Sequence, residues 1–187
     1  MAQPPENETL CLVEPSADFK DAFCDMAEEA LSEGDLRFFG ALSDFEAYLR
    51  QCEIDARGVG LPAGKVPSIQ YWLIRNNREV LATSNLRLRL TPALLKEGGH
   101  IGYQVRLSER RKGYGTRLLA LMLEKARERG FDRVLITCDT DNIASGKIIR
   151  ANGGVFENEV VSDVSGKPVS RYWIILDGSA DGKHPHD

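Results

Sequence analysis

Apolar residues recur along this chain with two different periods, and the switches between them mark out its elements. Leu10 to Glu14 predicts a short opening strand. From Asp18 to Ser32, Phe19, Ala22, Phe23, Met26, Ala27 and Ala30 fall at helical spacing, and Gly34 follows as a stop. Ser43 to Asp55 reads as a second helix, with Ser43 as N-cap and Glu46 three residues on as its capping-box partner. After a Gly- and Pro-rich loop at 57–67, Ile69–Arg75 and Val80–Leu90 alternate as strands around an Asn76-Asn77 hairpin turn. His100–Leu107 predicts another strand. Thr116–Arg129 is the clearest helix, with Leu118, Leu119, Met122, Leu123 and Ala126 on one side and Gly130 as its terminator. Val134–Cys138 is a β-branched run suited to a buried strand. Asn142–Ala151 closes as a helix at Gly153-Gly154, and Val155–Val161 and Ser170–Leu176 are final strands. This order predicts an α/β fold with a mixed, mostly antiparallel central sheet flanked by helices.

Composition narrows the class. At 187 residues, 42% hydrophobic and 28% charged, the chain suits one globular domain. We place that domain at residues 8–177, followed by a polar tail at 178–187 that carries His184 and His186. No run reaches the roughly 18 apolar residues of a membrane helix. The polar, acidic start at 1–8 is unlike a secretory signal, which points to the cytoplasm. Cys11, Cys24, Cys52 and Cys138 share no short spacing, so neither a CxxC redox pair nor a zinc site can be drawn, and no metal is expected.

Charge is unevenly spread. Residues 1–60 hold 14 acids and 4 bases, while residues 61–187 hold 14 acids and 20 bases. Between Asn85 and Arg117 stand eight bases, Arg87, Arg89, Lys96, Arg106, Arg110, Arg111, Lys112 and Arg117, against Glu97 and Glu109. The acidic remainder of the chain argues against a nucleic-acid binder, because the bases gather at one loop.

That loop, Ser108 to Thr116, joins a strand to the start of the clearest helix. A helix start presents unpaired N–H groups and the positive end of the macrodipole. Gly113 and Gly115 let the backbone curl around an anion, and Arg110, Arg111 and Lys112 add attraction. The spacing fits neither a P-loop nor a Rossmann fingerprint, since Leu118 stands at the third glycine position.

Arg110-x-x-Gly113-x-Gly115, after the strand Gly102-Tyr103-Gln104-Val105, resembles the coenzyme A pyrophosphate loop of the GCN5-related N-acetyltransferases (GNAT). Asp141-Asn142-Ile143-Ala144-Ser145, then Ile148 and Gly153-Gly154, is similar to the Asn-x-x-Ala/Ser helix of the same family, one strand later. The resemblance covers Gly98 to Val161 and implies an acyl-CoA N-acyltransferase-like fold that moves an acetyl group from acetyl-CoA to an amine. It implies that backbone groups of Val105, Arg106 and Leu107 bind the pantetheine arm in a gap between splayed parallel strands. Amides of Arg110, Arg111, Lys112, Gly113, Tyr114, Gly115 and Thr116 would hold the pyrophosphate, and Asn142 and Ser145 would lie beside the thioester. Leu107 stands at a position where the family often has proline, and Arg111 where it often has glycine.

The chemistry of transfer is less fully carried. Many family members place a tyrosine seven residues after the asparagine to protonate the leaving thiolate, and this chain has Ile149 there. An imidazole with a pKa near ~6.5 at His100 is one candidate base, and a strand-edge histidine without a role is the other reading of that residue. Tyr103, Asp139 and Asp141 are further candidates, although Asp141 also suits a helix cap. The acids of the first two helices suit a cationic acceptor arriving at the opposite mouth of the cleft. The alternative is a non-catalytic acyl-CoA-binding module on the same fold. Oligomeric state cannot be read from this sequence.

Overall fold

The computed structural model describes residues 8–176, so the tail at 178–187 and its two histidines lie outside the described residues. β1 (Leu10–Val13), β2 (Ser68–Arg75), β3 (Glu79–Arg87) and β4 (Ile101–Val105) form one antiparallel sheet in that order. β5 (Arg133–Asp139), β7 (Pro168–Ile175) and β6 (Val155–Val161) form a second, with β7 in the middle. The β2–β3 hairpin turns at Asn76 and Asn77, whose φ values of 51° and 54° supply the paired left-handed residues of a tight hairpin.

Both faces of the first sheet are covered. Successive residues of a strand point to opposite faces, and Tyr71 and Trp72 are 3% and 0% exposed. On the Trp72 side lie α1 (Lys20–Ser32), α2 (Phe39–Ser43) and α3 (Phe45–Arg57), which bring Phe23, Met26 and Phe45 against Trp72, Ile74 and Val80. The Trp72 ring stacks on Phe23 with centroids 4.5 Å apart. On the Tyr71 side, α5 (Tyr114–Glu128) packs Leu118, Leu119 and Met122 into the larger cluster, which Ile149 of α6 (Ile143–Ala151) joins. Burial of such side chains stabilises the fold by about 1.5–3 kcal/mol each, so β2 and β3 form a rigid spine that fixes the register of β4.

Several local features differ from the sequence expectations for physical reasons. The N-cap of α3 is Asp44, not Ser43, because its Oδ1 accepts from the Ala47 N–H at 2.9 Å. The Ser43 hydroxyl instead donates back to the Phe39 carbonyl at 3.0 Å, ending the short α2 that the hydrophobic pattern does not announce. Likewise α6 is capped by Asn142 rather than Asp141, through the Ser145 N–H at 3.0 Å. A further short helix, α4 (Pro92–Lys96), occupies the segment between the predicted strands Val80–Leu90 and His100–Leu107, and β3 ends at Arg87, three residues before its predicted end. Helix α5 starts two residues early, because Gly113 at φ 89° supplies a left-handed N-cap.

Candidate active site

β4 and β5 meet only where β4 begins. The His100 N–H donates to the Leu135 carbonyl at 2.7 Å, and the Leu135 N–H donates to His100 Nδ1 at 2.9 Å. Arg87 closes this end by donating to the Gly98 and Gly99 carbonyls, each at 3.0 Å. Beyond it, no ladder joins the two strands among the described residues. A cleft of about 610 Å³ opens beside Tyr103, Gln104 and Val105, against the starts of α5 and α6.

His100 therefore sits at the closed end and does not line that cleft. Burial, with the nearby Arg87 charge, lowers its pKa from the usual 6.5 to about 4, and Nδ1 is already engaged as an acceptor. The unfolded chain thus binds more protons than the folded one between about pH 4 and 6.5. Stability from this group is present above pH 6.5 and is lost as pH falls toward 4. We expect urea unfolding to show a loss on the order of 2 kcal/mol between pH 7 and pH 5. His100→Gln, which keeps an acceptor for Leu135, should flatten that segment of the profile.

The register of β4 decides which backbone groups face the gap. The Arg106 N–H donates to the Leu81 carbonyl at 2.8 Å, which makes Ala82–Val105 a non-hydrogen-bonded pair. Two residues back, Ser84–Tyr103 is the same kind of pair. The N–H and C=O groups of Tyr103 and Val105 therefore turn away from β3 toward the gap. Arg106 does not contribute there: its amide belongs to the sheet, and its side chain pairs with Glu29 at 2.5 Å. Leu107 begins a single 3₁₀ turn and does not line the cleft.

From Arg111 to Thr116, no backbone N–H donates to another described residue. Two left-handed residues shape this stretch, Gly113 and Arg111, the latter at φ 63°. Arg111 thus holds a conformation that glycine takes without strain and other residues take at a cost of about 1–2 kcal/mol. Arg110, Arg111, Gly113, Gly115 and Thr116 line the cleft. The Arg110 amide is already donated to the Leu107 carbonyl at 3.2 Å, and its Nε reaches the Val105 carbonyl at 3.3 Å. Lys112 pairs with Glu109 at 3.1 Å, and the Tyr114 side chain is buried away from the cleft. Gly115 has a packing reason of its own: a Cβ there would lie 2.7 Å from Ile148 Cδ1 and 3.5 Å from Val105 Cγ2.

Across the cleft, Asn142 and Ser145 line the start of α6. The Tyr103 hydroxyl and Ser145 Oγ are 2.7 Å apart, bridging strand and helix. Burial pushes the Tyr103 pKa up to about 12, against the opposing hydrogen bond of Ser145. The phenol therefore keeps its proton at neutral pH. Ile149, at the position where the family resemblance leads one to expect a tyrosine, is fully buried in the core. Asp139 and Asp141 do not line the cleft.

Gln104 pairs across β3 with Thr83, which pairs with Trp72, so its side chain leaves on the α1 face. There its Nε2 donates to Asp35 at 2.8 Å, and Arg37 holds the same carboxylate through Nε at 2.9 Å. The Arg37 hydrogen bonds outweigh burial and, with Gln104, hold the Asp35 carboxyl well below its ordinary range. Burial raises the pKa of Glu29, but the Ser108 N–H at 2.7 Å and Arg106 more than offset it and keep the carboxyl low. Arg37, Gln104, Glu109, Ala144, Lys147 and Ile148 complete the cleft; Gln104, Ala144 and Ile148 belong to the two motifs without an assigned role, and Arg37, Glu109 and Lys147 stand outside them. Ala144 and Ile148 lie four apart and so share one face of α6. Arg37 sits in a single 3₁₀ turn, Leu36–Phe38, capped by Asp35, and no motif marks it.

A sheet split at one strand pair, with an unsatisfied helix start beside the split, defines an acyl-CoA N-acyltransferase-like fold. The chain belongs to the acetyltransferase (GNAT) family, whose family model matches residues 26–153. No curated protein matches the chain in sequence. Among solved structures, RimJ of Mycobacterium smegmatis in complex with CoA-disulfide is 14% identical, with a TM-score of 0.68 over 92% of this chain and 84% of that one. The microcin C7 self-immunity acetyltransferase MccE, in complex with acetyl-CoA and AMP, is 14% identical, with a TM-score of 0.66 over 89% of this chain and 92% of its own. The ribosomal-protein-S5-alanine acetyltransferase of Vibrio fischeri is 15% identical, with a TM-score of 0.66 over 93% and 96% of the two chains. At these identities the likeness is one of fold.

Proposed function

We propose that this chain transfers the acetyl group of acetyl-CoA directly to an amine. The observation that carries this reading is the run of N–H groups from Arg111 to Thr116 that have no acceptor among the described residues, in a stretch whose Arg111, Gly113, Gly115 and Thr116 line the cleft beside β4. Such an array at a helix start fits a diphosphate, and Arg110, Arg111 and Lys147 line the same cleft as cations. Acetyl-CoA, when bound, supplies a thioester carbonyl whose C–S bond breaks as a C–N bond to the amine forms.

The chain's own residues would bind, orient and protonate. The Val105 N–H, turned toward the gap by the register, is placed to donate to a carbonyl oxygen that gains negative charge. The Tyr103–Ser145 pair holds hydroxyl protons for the departing thiolate, in place of the phenol that Ile149 cannot provide. Glu109 is the one carboxylate lining the cleft among the described residues, and it is tied to Arg75 and Lys112. The amine's proton therefore passes to water, and His100 has no part in that step.

The acceptor enters from the α1 face. Asp35 and Arg37 compensate one another there, and so do Glu29 and Arg106. Asp21, Asp25 and Glu28 stay exposed on the same helix. The residual field at this face is negative and favours a positively charged acceptor. The test is coenzyme A release with an amine panel at fixed ionic strength. Diamines and basic peptides should show higher kcat/KM than anionic amino acids. Equal or reversed values would remove the electrostatic preference. Tight coenzyme A binding with no release for any amine would favour the non-catalytic module instead.

A further inference from the structure

Behind the loop, on the side away from the cleft, one guanidinium gathers both ends of it. Arg75, the last residue of β2, donates from Nη1 to the Tyr114 hydroxyl at 3.0 Å and to Glu109 Oε2 at 3.3 Å. The same nitrogen reaches Glu8 Oε1 at 3.3 Å, and Nε donates to Glu79 at 2.5 Å. The Tyr114 hydroxyl donates in turn to Glu8 at 2.8 Å. Side-chain exposure is only 19% at Arg75 and 12% at Glu109, so solvent screens this pairing incompletely. Burial disfavours the Arg75 charge, but Glu79, Tyr114 and Glu109 more than compensate and hold the guanidinium charged.

Glu109 is the unexpected member. It is an acid lining a cleft whose other charged residues are Arg37, Arg110, Arg111 and Lys147. An unmasked carboxylate there would repel the phosphates that the neighbouring amides are built to receive. Arg75 and Lys112 both bind its Oε2. Tyr114, the first residue of α5, is fixed by the same arginine.

We propose that Arg75 is a positioning residue for the cofactor loop. It masks the Glu109 charge and locks the start of α5, so the donor array of Arg111–Thr116 is set before any anion arrives. Arg75 touches no substrate itself. The inference rests on the reading that this loop holds the diphosphate of coenzyme A. It adds that affinity for coenzyme A depends on a pairing made on the far side of the loop.

A double-mutant cycle read by calorimetry with coenzyme A tests it. Arg75→Met should weaken coenzyme A binding about tenfold or more, with the larger loss at low salt. Glu109→Gln alone should change affinity by no more than about twofold, because the charge it removes is already masked. The double variant should regain most of the affinity that Arg75→Met loses. In turnover, the KM for acetyl-CoA should rise in Arg75→Met while the KM for the acceptor stays unchanged. A loop that merely falls apart would not be rescued by Glu109→Gln, so a double variant as weak as Arg75→Met overturns the proposal. Unchanged affinity in Arg75→Met overturns it as well. If Arg75→Met folds poorly, Arg75→Gln makes the same comparison, with melting temperature as the check. A wild-type chain that binds no coenzyme A sinks the parent reading together with this one. Wild-type binding that survives in the single variant sinks only the role of Arg75.

Discussion

Gly113→Val should reduce coenzyme A affinity by about 100-fold or more. Gly113 holds φ 89° as the N-cap of α5, a conformation in which a β-branched residue is a genuine outlier. Strain of this kind costs about 1–3 kcal/mol at one residue, and the chain escapes it by unwinding the turn. Unwinding rotates the amides from Arg111 to Thr116 out of one concave array, and each lost charge-assisted hydrogen bond adds to the loss. Isothermal calorimetry gives the affinity, and a thermal melt separates loop damage from global unfolding. The stretch is exposed at Arg110–Lys112, so the melting temperature should fall by only a few degrees. Gly113→Ala, with a smaller side chain at the same φ, should fall between the two. If Gly113→Val binds coenzyme A as the wild type does, the loop is not the diphosphate cradle. Gly115→Val tests something else, because its side chain would meet Ile148 and Val105 between the packed elements.

Much of this fold could be read from the chain because its strongest signals are local. The apolar stripe of α5 and the β-branched run of β5 each report burial on a face their own periodicity defines. The basic, glycine-bearing loop is legible for the same reason: left-handed residues and unpaired amides at a helix start depend on neighbours in sequence. What could not be read is what depends on distant pairs. Arg75 belongs to a hairpin 34 residues before Glu109, and nothing in its strand pattern distinguishes it from a solvated arginine. Asp35 and Gln104 are 69 residues apart, and only the docking of α1 over the sheet brings them together. Caps are intermediate. Ser43 and Asp44 are both good N-caps, and the choice is made by the Phe39 carbonyl that takes the Ser43 hydroxyl. His100 shows the opposite case, where the residue type suggests chemistry and the register gives it a structural bond. An imidazole at the first position of the splayed strand looks like a base until its Nδ1 is seen accepting the Leu135 N–H.

Removal of one hydroxyl from the cleft should cost little, and removal of two should cost much. Tyr103 and Ser145 present their oxygens 2.7 Å apart, and either can be the donor of the bond between them. A thiolate leaving beside them can take a proton from whichever hydroxyl is nearer, while the other supports it. Tyr103→Phe leaves the serine, and Ser145→Ala leaves a phenol whose pKa of about 12 keeps it protonated through neutral pH. Each single variant should therefore retain kcat within about tenfold of the wild type. The double variant has no hydroxyl at this point, since Ile149 is buried and apolar, and should lose about 100-fold or more, in the range typical of general-acid removal. Single-turnover rates at saturating acetyl-CoA isolate the chemical step, and calorimetry with coenzyme A should show that binding survives in all three variants. An additive result, with the double loss equal to the product of the singles, would mean that the hydroxyls act separately. A double variant that turns over as fast as the wild type would mean that water protonates the thiolate and that this pair only joins β4 to α6.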